Sequence, residues 1–300
     1  MSLLPPAERP ARLAVGVISA GRVGAVLGAA LARAGHRVGA VAAVSKSSLD
    51  RAERLLPAAR VLPADQVAAA ADLLLLAVPD DALADLVTGL ANAGVVNKGT
   101  LVAHTSGAHG IEVLRPLAVT GALPLALHPV MTFTGTEVDL ARLDGACFGV
   151  TTVEELRPVA EALVIEMGSE PAWIAEELRS TYHAGLAFGA NNLVTIVAEA
   201  ADLLSRAGVE NPQRLLGPLL GAALDNSLRH GDRALTGPVA RGDAGTVAAH
   251  LRAISSHAPE AIAAYVEMSR LTAVRALAAG TLTAERAAAL LDVLAARERP

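Results

Sequence analysis

The segment Val15-Gly-Val-Ile-Ser-Ala-Gly-Arg-Val-Gly24 constrains the fold of this chain more than any other stretch. A short apolar run is followed by a turn of small residues and then by an amphipathic pattern, which predicts a strand, a tight turn and a helix. In such a unit the backbone N–H groups and the positive end of the helix dipole attract phosphate, and glycines let the backbone approach it. The segment therefore predicts the first βα unit of a dinucleotide-binding domain.

Short apolar runs continue to alternate with amphipathic stretches through the first half of the chain, which is typical of βαβ units in a parallel sheet. We predict strands at 12–18, 37–44, 60–62, 72–78, 100–104, 122–127, 146–151 and 170–174. The last two would extend the sheet at one edge, around a helix that the capping box Thr152-Val-Glu-Glu155 is expected to start.

Strand patterns stop after Ile174, and four or five helical segments follow, separated by glycines and by the stretch Thr236-Gly-Pro238. We therefore predict an α/β fold with a doubly wound Rossmann-type sheet, followed by an all-α domain. The predicted domains are an NADP-binding Rossmann domain at 12–174 and a helical domain for substrate binding and dimerisation at 175–300.

Composition narrows the classes of function. The formal net charge is −5 and the arginines are scattered, so binding to nucleic acid is not expected. The longest apolar run is far shorter than the roughly 20 residues of a membrane span, and no export signal is apparent at the start, so we expect no membrane association. Cys147 is the single cysteine and can close no internal disulfide, which suits a reducing cytoplasm.

The turn itself supplies the first cofactor candidates. Gly21 and Gly24 occupy the second and third positions of a GxGxxG pattern, and Ser19 replaces the first glycine. A serine there must accept the turn geometry at some cost, or alter how the pyrophosphate lies, although its hydroxyl could donate to a phosphate. We assign cofactor binding to Ser19, Ala20, Gly21, Arg22, Val23 and Gly24. The alternative is a strand-to-helix turn that binds nothing.

The end of the second strand favours NADP over NAD. No Asp or Glu stands where an NAD enzyme would hold the ribose hydroxyls. Ser45, Lys46 and Ser47, with Arg51 as a further candidate, instead offer donors and positive charge for a 2′-phosphate. The alternative is a polar loop in which Ser47 or Ser48 caps the next helix.

Further candidates follow the ends of the later strands. Val78 and Pro79 are expected beside the nicotinamide, whereas the next residues, Asp80 and Asp81, are interpreted mainly as helix N-caps. His104, Thr105 and Ser106 follow one strand and His128 follows the next, which would bring all four to the same sheet edge. We expect hydrogen bonds to a substrate carboxylate or to the cofactor, while either histidine could equally be a buried structural residue.

In the helical region, four-residue spacing places His183, Ala187 and Asn191 along one helix ridge. We assign His183 as proton donor to a carbonyl or imine, with Asn191 beside the nicotinamide; the alternative is a pair that packs helices together. The eight histidines show no HExxH pattern and no tight ligand spacing, so no metal is expected.

Taken together, these motifs resemble a bacterial two-domain family with a Rossmann-like first domain and a helical domain of unknown function, within the 6-phosphogluconate dehydrogenase-like superfamily. The resemblance also includes Leu127-His-Pro129, Asn191-Asn192 and the segment from Leu235 to Asp243. Relatives include ketopantoate reductase, pyrroline-5-carboxylate reductase and prephenate dehydrogenase. Several use a lysine four residues before an asparagine, where this chain has Ala187, so His183 is the best replacement acid.

The resemblance implies an NADP-dependent reductase of a small oxo- or imino-carboxylic acid, with ketopantoate as first candidate and with Ser106, His104 or Arg241 holding a carboxylate. It also implies a homodimer formed through the helical domain. Two alternatives stay open, a prephenate-type dehydrogenase and a non-catalytic NADP-binding redox sensor. The absence of the family's lysine and of the first glycine of the phosphate motif favours the redox sensor.

Overall fold

The computed structural model describes residues 12–295. Eight strands in this part of the chain form one sheet: β1 Ala14–Ile18, β2 Arg37–Ala42, β3 Arg60–Val61, β4 Leu73–Leu76, β5 Leu101–His104, β6 Leu123–Pro129, β7 Cys147–Thr151 and β8 Glu170–Trp173. Their order across the sheet is β3-β2-β1-β4-β5-β6-β7-β8. All eight predicted strands are confirmed, with ends that differ by a few residues.

The helices of the described residues are α1 Arg22–Arg33, α2 Lys46–Leu55, α3 Ala64–Ala69, α4 Asp80–Ala93, α5 Arg115–Ala118, α6 Val138–Arg142, α7 Arg157–Glu166, α8 Arg179–Arg206, α9 Pro212–His230, α10 Gly237–Arg241, α11 Ala244–His257, α12 Ile262–Ala278 and α13 Ala284–Ala295. Those from α9 onward follow without an intervening strand, which confirms the predicted all-helical second part.

Strand β4 shows why the sheet is covered on both faces. Its four consecutive leucines, Leu73 to Leu76, are all buried, as expected of a central strand in a doubly wound fold. Leu73 and Leu75 join the apolar core on one face of the sheet, while Leu74 and Leu76 join the core on the other. Because β1 and β4 are neighbours and their connections leave in opposite directions, the strand order reverses between them, where such sheets bind ligands.

The edge strands differ from the rest in direction. Strand β7 runs antiparallel to β6, and β8 is parallel to β7. The predicted capping box after β7 is wrong, because the Thr152 hydroxyl donates to the Pro124 carbonyl at 2.8 Å instead of capping a helix. A short 3-10 turn, Glu154–Leu156, leads into α7.

The chain divides into two compact units, one up to Phe188 and one from Gly189 onward. The division lies within α8 and not at the start of the helical region. Near the beginning of α8, Arg179 donates hydrogen bonds to carbonyls of the loop after β5 and of β7, so the first turns of this helix belong to the unit that contains the sheet. The second unit has its own core, which includes Val247, Leu251, Leu290 and Leu294.

Apolar side chains in the first two helices of the second unit are exposed. They are Leu193, Val194 and Ile196 on α8, and Leu215, Leu219, Leu224 and Leu228 on α9; we call this set the α8–α9 apolar surface. In length and composition, the helical stretch Glu176–Arg206 also meets the minimum for a membrane span. The exposure departs from the usual pattern of a soluble monomer, in which such patches are small.

Candidate functional site

The turn between β1 and α1 has the geometry that the glycine-rich motif predicts. Ser19 has a φ of 78°, and among residues 12–295 it is the one non-glycine residue with positive φ. That conformation costs an L-residue roughly 1–2 kcal/mol relative to glycine. The prediction that a serine at this position must accept the turn geometry at some cost is therefore confirmed.

The two remaining glycines of the motif serve different purposes. A Cβ on Gly24 would lie 2.1 Å from the Ser19 carbonyl oxygen, so only glycine lets α1 pack this closely against the turn. A Cβ on Gly21 would meet nothing nearer than the Ser19 hydroxyl at 3.5 Å. The protein itself thus leaves room at Gly21, which is the N-cap of α1 and faces the space where a phosphate would lie.

A cavity of about 800 Å³ opens in front of this turn. It is lined by many of the residues assigned from the sequence, namely Ser19, Gly21, Arg22, Ser45, Ser47 and Val78. Other assigned residues do not line it: Ala20, Val23, Gly24, Lys46 and Pro79. Ala20 is fully buried, and Gly24 packs against the Ser19 backbone, so these two shape the turn from behind.

The charged lining of this cavity is entirely cationic. Arg22 and Arg51 are its ionisable residues, and no carboxylate lines it among the described residues. Arg51 also donates to the Ala20 carbonyl at 2.9 Å, which ties α2 to the phosphate turn. From the sequence, Arg22 is assigned to the turn and Arg51 is a further candidate for the 2′-phosphate, and both line this cavity.

A buried carboxylate holds a loop beside these arginines. Asp139 is fully buried and accepts hydrogen bonds from the backbone N–H groups of Thr134 and Gly135, at 2.8 and 2.7 Å. Burial raises the pKa of this carboxyl, but the hydrogen bonds from Gly135 and Thr134 outweigh it and hold the pKa below its ordinary value. A Cβ on Gly135 would lie 2.9 Å from side-chain atoms of both Arg22 and Arg51, so glycine is needed here.

Two predicted helix caps are corrected by the structure. Ser45, and neither Ser47 nor Ser48, is the N-cap of α2; its hydroxyl accepts from the Ser48 N–H at 3.2 Å. The Ser45 hydroxyl is thus partly committed to capping the helix, while Ser45 and Ser47 both line the cavity. Asp80 and Asp81 lie inside the first turn of α4, where their charges favour the helix dipole without capping it.

His104 lies at the end of β5, with no exposed surface. One ring nitrogen, Nε2, lies 2.8 Å from the Gly110 carbonyl oxygen, and the other, Nδ1, accepts from the Ser106 N–H at 3.2 Å. The Ser106 hydroxyl in turn accepts from the His109 N–H. Both side chains assigned to chemistry therefore hold the loop after β5 in place, because their polar atoms are occupied by its backbone.

Arg179 is the most unusual side chain of this region. It is 1% exposed, and its guanidinium donates to three backbone carbonyls: Ser106 at 2.7 Å, His109 at 2.9 Å and Gly149 at 3.0 Å. The cation also lies over the Tyr182 ring, 5.4 Å from its centroid. Arg179 thus joins the loop after β5, strand β7 and the start of α8 at one point.

Three rings meet next to this cation. The Tyr182 hydroxyl lies 2.7 Å from Nδ1 of His128, and the His183 ring lies edge-on to His128 with centroids 6.0 Å apart. A Cβ on Gly107 would be 2.5 Å from Cδ2 of His183 and 3.0 Å from Nε2 of His128. We call Tyr182, His128 and His183 the ring cluster, and Gly107 gives it the room it needs.

Burial sets the ionisation of these groups. It lowers the pKa of His104 and of His128 to about 4 each, with the positive charge of Arg179 adding to the effect at both. Burial raises the pKa of the Tyr182 phenol. At neutral pH both histidines are therefore uncharged and the phenol keeps its proton.

The structure brings His104, Thr105, Ser106, His128 and His183 into the sheet-containing unit. Asn191 lies in the second unit and is exposed, so the alternative of a polar pair packed between helices is not supported, while its assignment beside the nicotinamide stays a prediction. Arg241 is also exposed in the second unit, and Asp243 caps α11 by accepting a hydrogen bond from the Thr246 N–H.

Two residues of this region, Arg179 and Tyr182, have no role assigned to them from the sequence. Arg179 and Tyr182 precede His183 on the first turn of α8. No group of three or more potential metal ligands occurs in residues 12–295.

Comparison with protein-family models divides the chain in the same order as the fold. Residues 5–129 match the Rossmann-like domain, and residues 146–272 match a domain of unknown function, DUF2520. None of the curated proteins matches the sequence.

Several solved structures share the fold. A candidate NADP oxidoreductase from Bacteroides fragilis is 23% identical, with a TM-score of 0.71, over 87% of this chain and 98% of that one. Protein TM1727 from Thermotoga maritima is 19% identical, with a TM-score of 0.64, over 88% and 98%. A pyrroline-5-carboxylate reductase from Coxiella burnetii is 14% identical, with a TM-score of 0.55, over 89% and 98%.

Proposed function

We propose that this chain, which joins a Rossmann-like domain to a DUF2520 domain within the 6-phosphogluconate dehydrogenase-like superfamily, is an NADP-dependent oxidoreductase that reduces a small oxo- or imino-carboxylic acid. The names of two similar structures, an NADP oxidoreductase and a pyrroline-5-carboxylate reductase, support the class of reaction. The single cysteine, Cys147, is consistent with a reducing cytoplasm.

The observation that carries the proposal is the cavity in front of the β1–α1 turn. Its volume of about 800 Å³ lies within the range of cofactor sites, and it begins at a helix N-terminus suited to a pyrophosphate. Arg22 and Arg51 add positive charge without a competing carboxylate, which suits the 2′-phosphate of NADP and offers no acceptor pair for the ribose hydroxyls of NAD.

Cofactor choice can be tested by substituting the two arginines. We expect wild-type protein to bind NADPH more tightly than NADH in fluorescence titrations. Arg22→Gln and Arg51→Gln should each weaken NADPH binding roughly 10- to 100-fold, the loss expected of one charge-assisted contact. NADH binding should change much less, and this difference separates loss of the phosphate contact from general damage to the turn.

Arg33→Gln is the matched control, because Arg33 ends the same helix α1 and lies outside the cavity. It should leave both dissociation constants unchanged. Tighter binding of NADH than of NADPH by the wild-type protein would overturn the assignment to NADP.

For the chemical step we propose His183 as proton donor to the substrate, with Thr105 and His128 as hydrogen-bonding partners of its polar groups. His183 is half-buried and borders Gly107 together with His128, at the carboxyl edge of the sheet. Asn191 and Arg241 remain candidates for the nicotinamide side and for the carboxylate, respectively. Ser106 and His104 contribute by holding the loop that carries Thr105.

Turnover should be sought as NADPH oxidation with a panel of 2-oxo acids, ketopantoate first, and with cyclic imino acids such as pyrroline-5-carboxylate. His183→Gln should lower kcat roughly 100-fold or more if His183 donates the proton, with NADPH affinity retained. Tight NADPH binding without turnover on any member of the panel would favour the redox sensor over the reductase.

We also propose that the α8–α9 apolar surface contacts a second copy of this chain. The surface extends over two helices, and α9 carries Arg214, Asp225 and Arg229, so it does not fit the hydrocarbon of a membrane. Gly217 and Gly221 lie four residues apart on α9 with open space at each Cβ position, which lets another helix approach closely. A symmetric pair of copies would cover the leucines of both helices.

Light scattering coupled to gel filtration should therefore give the mass of a dimer. Leu219→Glu, at a leucine that is 65% exposed, should convert the dimer to monomers or to aggregates. Val119→Glu, at a valine that is 77% exposed in the sheet-containing unit, is the matched control and should leave the dimer intact. A monomeric wild-type protein, or its recovery with sedimented phospholipid vesicles, would contradict this arrangement.

A further inference from the structure

The hydroxyl of Tyr182 and the ring of His128 are placed so that one can fix the protonation of the other. The phenol oxygen lies 2.7 Å from Nδ1 of His128, and the rings are nearly perpendicular, with centroids 5.7 Å apart. The opposite ring nitrogen, Nε2, faces Gly107 and the neighbouring His183. The two nitrogens of His128 therefore lie in different surroundings, one against the phenol and one toward the proposed reaction site.

We propose that Tyr182 is a positioning residue: it donates its hydroxyl proton to Nδ1 of His128, so that the imidazole carries its single proton on Nε2 and presents that N–H to an oxygen of the substrate. This inference deepens the proposed function and rests on it for the identity of the acceptor, a carbonyl or carboxylate oxygen. The arrangement of the Tyr182 and His128 protons can be measured without any substrate.

The Tyr182 phenol is a suitable donor to Nδ1 of His128. Burial raises the pKa of the phenol, so its hydroxyl keeps its proton at neutral pH. The phenol can therefore donate this proton to the lone pair of Nδ1, which lies 2.7 Å from its oxygen. A Cβ on Gly149 would lie 2.2 Å from this oxygen, so a glycine in β7 is what allows the contact.

A neutral imidazole is required for this role, because an imidazolium would carry protons on both nitrogens and could not accept from the phenol. Burial, the Arg179 cation and the adjacent His183 all lower the pKa of His128, while Asp80 opposes them. The resulting pKa of about 4 keeps His128 neutral at physiological pH. Its Nδ1 therefore has a lone pair for the phenol.

The placement of Tyr182 is itself rigid. Arg179, one turn earlier on α8, is anchored by its three carbonyl contacts, and its cation lies over the Tyr182 ring. The ring consequently has little freedom to leave His128. A fixed N–H donor needs no reorganisation when a substrate oxygen arrives, which is the value of such preorganisation in catalysis.

The chain contains a matched pair for the experiment. Tyr265 and His250, in the second unit, form the same contact, with the hydroxyl 2.8 Å from Nδ1 and the centroids 6.0 Å apart. These are the only two tyrosines in the sequence, so each tyrosine-to-phenylalanine variant removes one hydroxyl of the same type from the same kind of partner.

Nitrogen-15 NMR of the histidine rings at neutral pH, without ligand, should show His128 as the Nε2–H tautomer, with Nδ1 accepting a hydrogen bond. His128→Gln identifies its signals. In Tyr182→Phe the Nδ1–H tautomer should appear, while in Tyr265→Phe the His128 signals should remain as in wild type and those of His250 should move. A wild-type His128 in the Nδ1–H form, or a tautomer ratio unaffected by Tyr182→Phe, would overturn the inference.

Steady-state kinetics then tests the link to turnover. Tyr182→Phe should lower kcat/KM roughly tenfold, the effect of losing one oriented donor, without altering NADPH affinity. Tyr265→Phe should leave both unchanged. Failure of the proposed function would appear as no turnover in the wild-type protein, with the tautomer result intact, so the two failures are distinguishable.

Discussion

Replacing Arg179 by methionine should lower the free energy of unfolding of the sheet-containing unit by about 3–5 kcal/mol, since several charge-assisted hydrogen bonds to buried acceptors are lost. Methionine fills much of the space but donates nothing, so the carbonyls of Ser106, His109 and Gly149 lose the guanidinium that they share. Arg179→Lys should be intermediate, because a lysine keeps the charge but cannot reach three acceptors in one plane.

The single tryptophan makes this measurement specific to one unit. Trp173 ends β8, so its fluorescence during urea unfolding reports the unit that contains Arg179. Arg115→Met is the matched control, because Arg115 is exposed and its one ion pair within residues 12–295 is with the nearby Glu112. The substitution should change stability by less than about 0.5 kcal/mol. An Arg179→Met variant within 1 kcal/mol of wild type would show that solvent satisfies the carbonyls equally well.

The second large effect is the loss of stability on acidification. His104 has a pKa of about 4 in the folded protein and an ordinary value of 6.5. Between these values the unfolded chain binds a proton that the folded protein excludes, so the free energy of unfolding falls as the pH falls through this interval. The contribution of His104 alone should be about 3 kcal/mol between pH 7 and pH 4, and His128 adds to it in the same direction.

His104→Gln isolates this contribution. The amide can still donate to the Gly110 carbonyl but has no titrating proton, so the stability at pH 7 should fall by about 1–2 kcal/mol and the decline below pH 6.5 should become shallower. Urea unfolding followed by Trp173 fluorescence from pH 7.5 to 4.5 measures both. The exposed His230 provides His230→Gln as a control for removing one imidazole. Parallel curves for His104→Gln and wild type would contradict the burial argument.

The sheet was predictable because its signals are local. Consecutive buried leucines in β4, and the strand-turn-helix pattern around Ser19, follow from the period and composition of a few residues each. The phosphate turn and the lack of a carboxylate after β2 are equally local, so the cofactor cavity was largely anticipated.

The region around the ring cluster was less predictable, since it depends on contacts between distant segments. In sequence, Arg179 resembles any charged residue at the start of a surface helix, and only the carbonyls of the loop after β5 and of β7 explain its burial. Four-residue spacing aligns His183 with Asn191 on one side of a helix, but this spacing does not show whether that side is buried. In the structure, α8 is exposed at Asn191. His104 and Ser106 were assigned to substrate or cofactor because a sequence does not reveal which backbone groups a side chain hydrogen-bonds.

The carbonyl contacts of Arg179 also affect the order in which parts of this protein can fold during synthesis. Ser106 precedes Arg179 by 73 residues and Gly149 precedes it by 30. The chain leaves the ribosome from its N-terminus, so strands β1 to β6 can pair before Arg179 has emerged from the exit tunnel. Until α8 is translated, the loop after β5 has the contacts of His104 and Ser106 but not those of Arg179. A nascent chain that ends before Arg179 would carry the sheet with His128 but without Tyr182 and His183, the other two rings of the cluster.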